Sequence, residues 1–156
     1  MTAPFEPTRD QDVRCMRRAL ILAAEAEAHG DVPIGAVLVL GDLVVETKNE
    51  KELRPDPTAH AEMLAIARAA ARLGAWRLAG AVLYVTKEPC VMCAGAMVAA
   101  RIERVAFGCR DPKGGAAGSV IDVFASQAVN HRVEVTAGVL EAETAAQLRA
   151  FFAARR

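Results

Sequence analysis

Apolar positions along the chain change period several times, and each change predicts an element. Between Arg9 and Ala28 they fall at Val13, Met16, Leu20, Ala23 and Ala24, the spacing of one helix face. Asp10 and Asp12 stand in its first turn, where the helix dipole favours acids, and Gly30 can end it. Residues 34–40 form a Val-rich apolar run, Gly41-Asp42 a tight turn, and Leu43-Val44-Val45 resumes the run. That pattern predicts a β-hairpin. Residues 49–57 are polar with two prolines and read as a loop. Thr58 is placed to cap a helix over residues 59–73. Residues 81–86 predict a strand, and Pro89 suits the first turn of a helix reaching about residue 100. A strand at 105–107, a glycine-rich loop at 110–118, a last strand at 133–135 and a helix at 141–154 complete the pattern.

Strands alternating with helices predict an α/β fold, a three-layer α/β/α domain around a central mixed sheet of about five strands. The 156 residues suffice for one core, with residues 1–8 a flexible N-terminus and 9–156 a single domain. Lys and Arg number 19, as do Asp and Glu, so a uniformly basic, DNA-coating surface is excluded. The start of the chain lacks the pattern of a secretory leader, and no stretch is apolar enough to span a membrane. A cytoplasmic protein without membrane contact is expected. In such a compartment a Cys-x-x-Cys pair is metal-binding or redox-active rather than part of a disulfide framework.

That pair is Cys90 and Cys93, read as i and i+3 in the first turn of a helix. Free backbone N–H groups there favour thiolates, the form that binds zinc. Taken alone, the pair fits a redox dithiol or two core cysteines equally well. His60, alone, is an ordinary capping residue, and Glu62 a favourable first-turn acid. The spacing separates these readings. Cys90 follows His60 by 30 positions, enough for one helix, one strand and a turn. A right-handed crossover lays both helices on one face of the sheet with their N-termini together. One nitrogen and two sulfurs then meet, leaving a fourth position for water, the open arrangement of catalytic zinc. His-x-Glu followed by Pro-Cys-x-x-Cys is also the signature of zinc nucleobase deaminases, in which the Glu moves protons without binding the metal.

The flanking segments extend the match. Residues 32–39 (VPIGAVLV), 56–62 (DPTAHAE), 76–78 (WRL), 83–86 (LYVT), 88–96 (EPCVMCAGA), 114–119 (GGAAGS) and 130–135 (NHRVEV), with the double-Phe, Arg-ending tail, resemble bacterial tRNA adenosine deaminases over about residues 14–156. The resemblance implies a cytidine-deaminase-like fold, one Zn²⁺ per subunit, a homodimer, and conversion of adenosine to inosine at the wobble position of tRNA-Arg. It implies His60, Cys90 and Cys93 as metal ligands and Glu62 as the catalytic carboxylate. Asn49, with Ala61 and Pro89, is implied to bind the flipped-out base of a tRNA anticodon stem-loop. Arg101, Arg110, Lys113, Arg132, Arg149, Arg155 and Arg156 are candidates for holding phosphates, though each alone is an ordinary surface charge. The chain departs from the family pattern at Pro55, Lys87, Ala99 and Cys109, where members commonly carry His, Leu, His and Ala. Its hairpin turn is one residue shorter. Pro55 and Ala99 remove histidines from stretches expected near RNA. Three other readings stand beside this one. They are a free-base or nucleoside deaminase of the guanine or cytosine type, an engineered variant acting on single-stranded DNA, and a non-catalytic zinc-stapled RNA-binding module. The last has no use for Glu62.

Overall fold

A computed structural model describes residues 9–155; the segment 1–8 expected to be flexible, and Arg156, lie outside the described residues. The elements run α1 (Arg9–Ala28), β1 (Gly35–Leu40), β2 (Leu43–Lys48), α2 (Ala61–Leu73), β3 (Val82–Lys87), α3 (Val91–Ala99), β4 (Arg104–Cys109), β5 (Glu134–Thr136) and α4 (Glu141–Ala153). The sheet order is β2-β1-β3-β4-β5. β1 is antiparallel to both β2 and β3, while β3, β4 and β5 are parallel. Each element type expected from the sequence is therefore present, in a mixed five-stranded sheet.

The period of two along the central strands divides the core. Leu83 and Val85 of β3, with Ala36, Leu38, Val105 and Phe107, face α2 and α3. Val82 and Tyr84, with Val37 and Ala106, face Met16, Ala19 and Leu22 of α1. α4 joins the α1 layer, where Gln147 Nε2 donates to the carbonyl of Leu20 at 3.0 Å. Three layers result. On the α1 side a largely buried ion pair, Arg104 to Asp12 at 2.7 Å, ties helix to sheet. The Tyr84 hydroxyl donates to the same carboxylate at 3.1 Å. A lone buried charge would be costly here, so the pair and its hydrogen bonds belong together.

Several boundaries differ from the sequence reading. α2 starts at Ala61 with His60, not Thr58, at its N-cap. The Thr58 hydroxyl instead donates to Asp56 Oδ1 at 2.7 Å, a local turn that competes with helix capping. Pro89 lies ahead of α3 rather than in its first turn. Its carbonyl accepts the N–H of Ala116 at 2.9 Å, which turns that peptide toward the glycine-rich loop. Cys90 is the N-cap, with extended φ −77° and ψ 175°, so only Cys93 of the pair lies inside the helix. β4 is longer than the apolar triplet that marked it. β5 sits one residue later than expected, because Arg104 pairs with Glu134.

α1 lies so close to the sheet that a Cβ on Gly35 would stand 2.0 Å from the carbonyl oxygen of Ala19. The oxygen is backbone and the Cβ position is set by the backbone, so neither can rotate away. Gly35→Ala is expected to lower stability by about 2–3 kcal/mol through overpacking, read as a shifted urea midpoint with unchanged slope. A midpoint equal to the parent's would contradict this packing.

Candidate metal centre

The centre forms where two helix starts meet beyond the C-terminal end of β3. His60 reaches it from the N-cap of α2 and Cys90 from the N-cap of α3. Cys93 follows one turn into α3. His60 Nδ1 lies 3.6 Å from Cys90 Sγ and 3.5 Å from Cys93 Sγ. All three ligand atoms fall within 4.8 Å of one another, a group that could hold a metal ion. Cys93 is buried, while His60 and Cys90 are half-buried, so the cluster opens to one side.

Ala61 fixes how the cluster is aimed. Its N–H donates to Asn49 Oδ1 at 2.8 Å, and its carbonyl accepts the Thr47 hydroxyl at 2.7 Å. The end of β2 thus holds the first residue of α2 at both of its polar groups, satisfying an N–H that no helical partner reaches. This tether also explains how residues two apart serve one cavity. His60 is extended and Glu62 helical, so the change of backbone conformation turns both side chains the same way.

Electrostatics within the cluster fit a cation. The Cys93 thiol donates toward Cys90, and the His60 ring adds to this, holding the Cys90 thiol down at about 3 in spite of its partial burial. His60 is raised above its ordinary value mainly by its hydrogen bond with Cys90. Cys93, donating to Cys90 and buried, keeps its proton to much higher pH. A thiolate ringed by proton-bearing neighbours is the arrangement in which a metal ion replaces those protons. Glu62 is 4% exposed, and burial pushes its carboxyl up. Its Oε1 is buried and meets no hydrogen-bond partner. A carboxylate oxygen left this way is costly unless something fills the cavity beside it.

Among the described residues the basic candidates do not gather into one surface. Arg110 and Lys113 lie in the loop beside the centre. Arg101 and Arg132 line a cleft of about 520 Å³ with Arg77 and His131, at the N-terminal ends of β3 and β4, the far end of the sheet from the metal ligands. Arg132 there donates to the carbonyls of Phe124 and Ser126 at 2.8 and 3.1 Å. Arg149 lies within α4 and Arg155 just beyond its end, in the α1 layer on the other face of the sheet. Arg155 packs over the Phe151 ring at 3.4 Å and donates to that residue's carbonyl. Lys87 pairs with Asp111 at 3.0 Å. Sequence reasoning passed over Thr47 and Glu88, both buried polar residues. Only the placement of Glu88, an acid directly before Pro-Cys, offered a signal.

Comparison with known proteins places this geometry. The family model of the MafB19-like deaminases matches residues 10–156. A tRNA-specific adenosine deaminase of Bacillus subtilis is 50% identical over 143 residues, covering 91% of this chain and 89% of that protein. One of Haemophilus influenzae is 46% identical over 147 residues, covering 93% and 85%. A solved structure from studies of A-to-I editing by tRNA:A34 deaminases at the wobble position superimposes with a TM-score of 0.84. It is 45% identical, with 86% of this chain and 99% of that one covered. The fold agrees with that solved structure, and the chain belongs to the deaminase family as one of the tRNA-specific adenosine deaminases.

Proposed function

We propose that the protein deaminates adenosine to inosine at the wobble position of a tRNA anticodon stem-loop, that of tRNA-Arg by its resemblance, with one Zn²⁺ per subunit. The observation carrying this reading is the buried, partnerless Glu62 Oε1 beside a three-ligand cluster that is open on one side. A structural zinc site takes four protein ligands and has no role for such a carboxylate. When bound, zinc draws the pKa of a water ligand toward about 7 and so supplies a nucleophile at neutral pH.

The chain's own residues account for the rest. His60, Cys90 and Cys93 hold the ion. Glu62, its carboxyl raised by burial, accepts a proton from the attacking water and passes it to the adjacent ring nitrogen, then takes the proton of the added hydroxyl as the carbonyl forms and gives it to the departing amine. Water enters and ammonia leaves. Asn49 commits its oxygen to Ala61, which leaves its amide hydrogens to donate to the base. Ala61 and Pro89, both buried next to ligands, form walls for a base turned out of its stack. Arg110 and Lys113, in the loop beside the centre, are the phosphate contacts that fit this pose. A homodimer and a cytoplasmic location belong to the same reading. Among the described residues no helix is long and apolar enough to cross a membrane.

Incubation with a tRNA-Arg anticodon stem-loop is expected to yield inosine, to lose that activity with a chelator, and to regain it with zinc. Turnover of free guanine, cytosine or single-stranded DNA in place of the stem-loop would overturn the substrate assignment. Glu62→Gln is expected to retain zinc while kcat falls by about 10²–10⁴-fold; parent-level turnover would remove Glu62 from the mechanism. Stem-loop affinity should fall as salt rises, with a log–log slope of about −0.7 per single-strand phosphate neutralised. A flat response would exclude a polyanionic substrate.

A further inference from the structure

Glu88 stands two residues before Cys90, and its side chain is 0% exposed. Every acceptor position on it is turned toward the glycine-rich loop. Oε1 accepts the Ser119 hydroxyl at 2.9 Å and Arg110 at 3.2 Å, and Oε2 accepts the N–H of Asp111 at 3.3 Å. The loop is shaped around the carboxylate. A Cβ on Gly115 would lie 1.5 Å from Glu88 Oε2 and 2.6 Å from the carbonyl of Asp111, so only glycine admits this approach. The neighbours of Glu88 hold the same loop. Lys87 pairs with Asp111 at 3.0 Å, and the Pro89 carbonyl accepts the N–H of Ala116 at 2.9 Å. Three successive residues leading into a metal ligand thus clasp one loop. The Arg110 side chain is half exposed and packs over the Phe107 ring at 5.6 Å, so one part of the guanidinium is anchored and another faces solvent.

We infer that Glu88 is a positioning residue, which locks loop 110–119 against the metal-ligand turn and presents Arg110 to the phosphates of the RNA substrate. Glu88 touches neither substrate nor metal. It acts through Arg110 and the loop backbone, so losing it weakens substrate capture more than the chemical step. The inference rests on the RNA reading above, and its test separates the two.

The test uses zinc-loaded parent, Glu88→Gln and Ser119→Ala proteins, reading amide hydrogen exchange over residues 110–119 and kinetics on the anticodon stem-loop. Glu88→Gln is expected to speed exchange in the loop but not in β4. It should also raise KM about tenfold, the size of one weakened charge-assisted hydrogen bond, with kcat changed less than about threefold. Ser119 is exposed, so Ser119→Ala folds even if Glu88→Gln does not, and it should move both readouts the same way by a smaller amount. Arg110→Ala should raise KM similarly, and adding it to Glu88→Gln should raise KM no further, because the two act as one unit. Unchanged loop exchange overturns the clasp whatever the substrate. Faster exchange with unchanged KM overturns the link to substrate, and multiplying KM effects overturn the route through Arg110. A parent that forms no inosine on RNA overturns the functional reading itself, and shows this before any variant is compared.

Discussion

α2 and α3 share one face of the sheet, and their N-terminal ends must stop at the same edge. α2 packs through Ala61, Ala65 and Ala69, α3 through Cys93, Ala94 and Met97, and both bury these residues in one core. Alanines keep α2 close to the strands. The parallel pairing of β3 with β4 brings α3 back across the sheet beside α2. Two helix starts then lie in contact, each with backbone N–H groups that lack helical partners. The site is built into that junction. His60 and Cys90 are both N-cap residues in extended conformation, so their side chains project ahead of the helices instead of along them.

Holding such a junction requires polar groups from elsewhere, and the hairpin and the loop supply them. Thr47 and Asn49 at the end of β2 bind both backbone groups of Ala61. Glu88 and its neighbours bind loop 110–119 on the other side. The hydrophobic layer under the helices gives the site rigidity, and these few hydrogen bonds set its orientation. In an interior with few charges each one is either paired or functional. Arg104 and Asp12 on the far face are paired. Glu62 Oε1 alone among the carboxylate oxygens of the described residues is buried without a partner, and its carboxyl lies within electrostatic reach of His60 and Cys90.

The sequence made the element order, the mixed sheet and the meeting of His60, Cys90 and Cys93 legible, because apolar period and residue spacing are local signals. Positions decided by competition between hydrogen bonds were less legible. Thr58 has the chemistry of a cap, yet Asp56 is nearer, and the cap role passes to a residue whose own side chain makes no capping bond. Pro89 has the right φ for a first helical turn, yet its carbonyl is taken by Ala116 from a loop 27 residues further on. Thr47 reads as an ordinary polar residue because nothing local shows that folding buries it, and Glu88 is marked only by its place directly before Pro-Cys. The basic residues of the C-terminal third read as one group, but the fold distributes them over opposite ends and faces. Among the described ones, only Arg110 and Lys113 lie in the loop beside the centre.

The proposed zinc site has three protein ligands and one open position. X-ray absorption at the zinc edge of the purified protein tests it directly. One zinc per chain is expected, with two sulfur ligands at about 2.3 Å and two nitrogen or oxygen ligands at about 2.0–2.1 Å, one of the latter exchangeable. A shell of three or four sulfurs, or a closed set of four protein ligands, would contradict it.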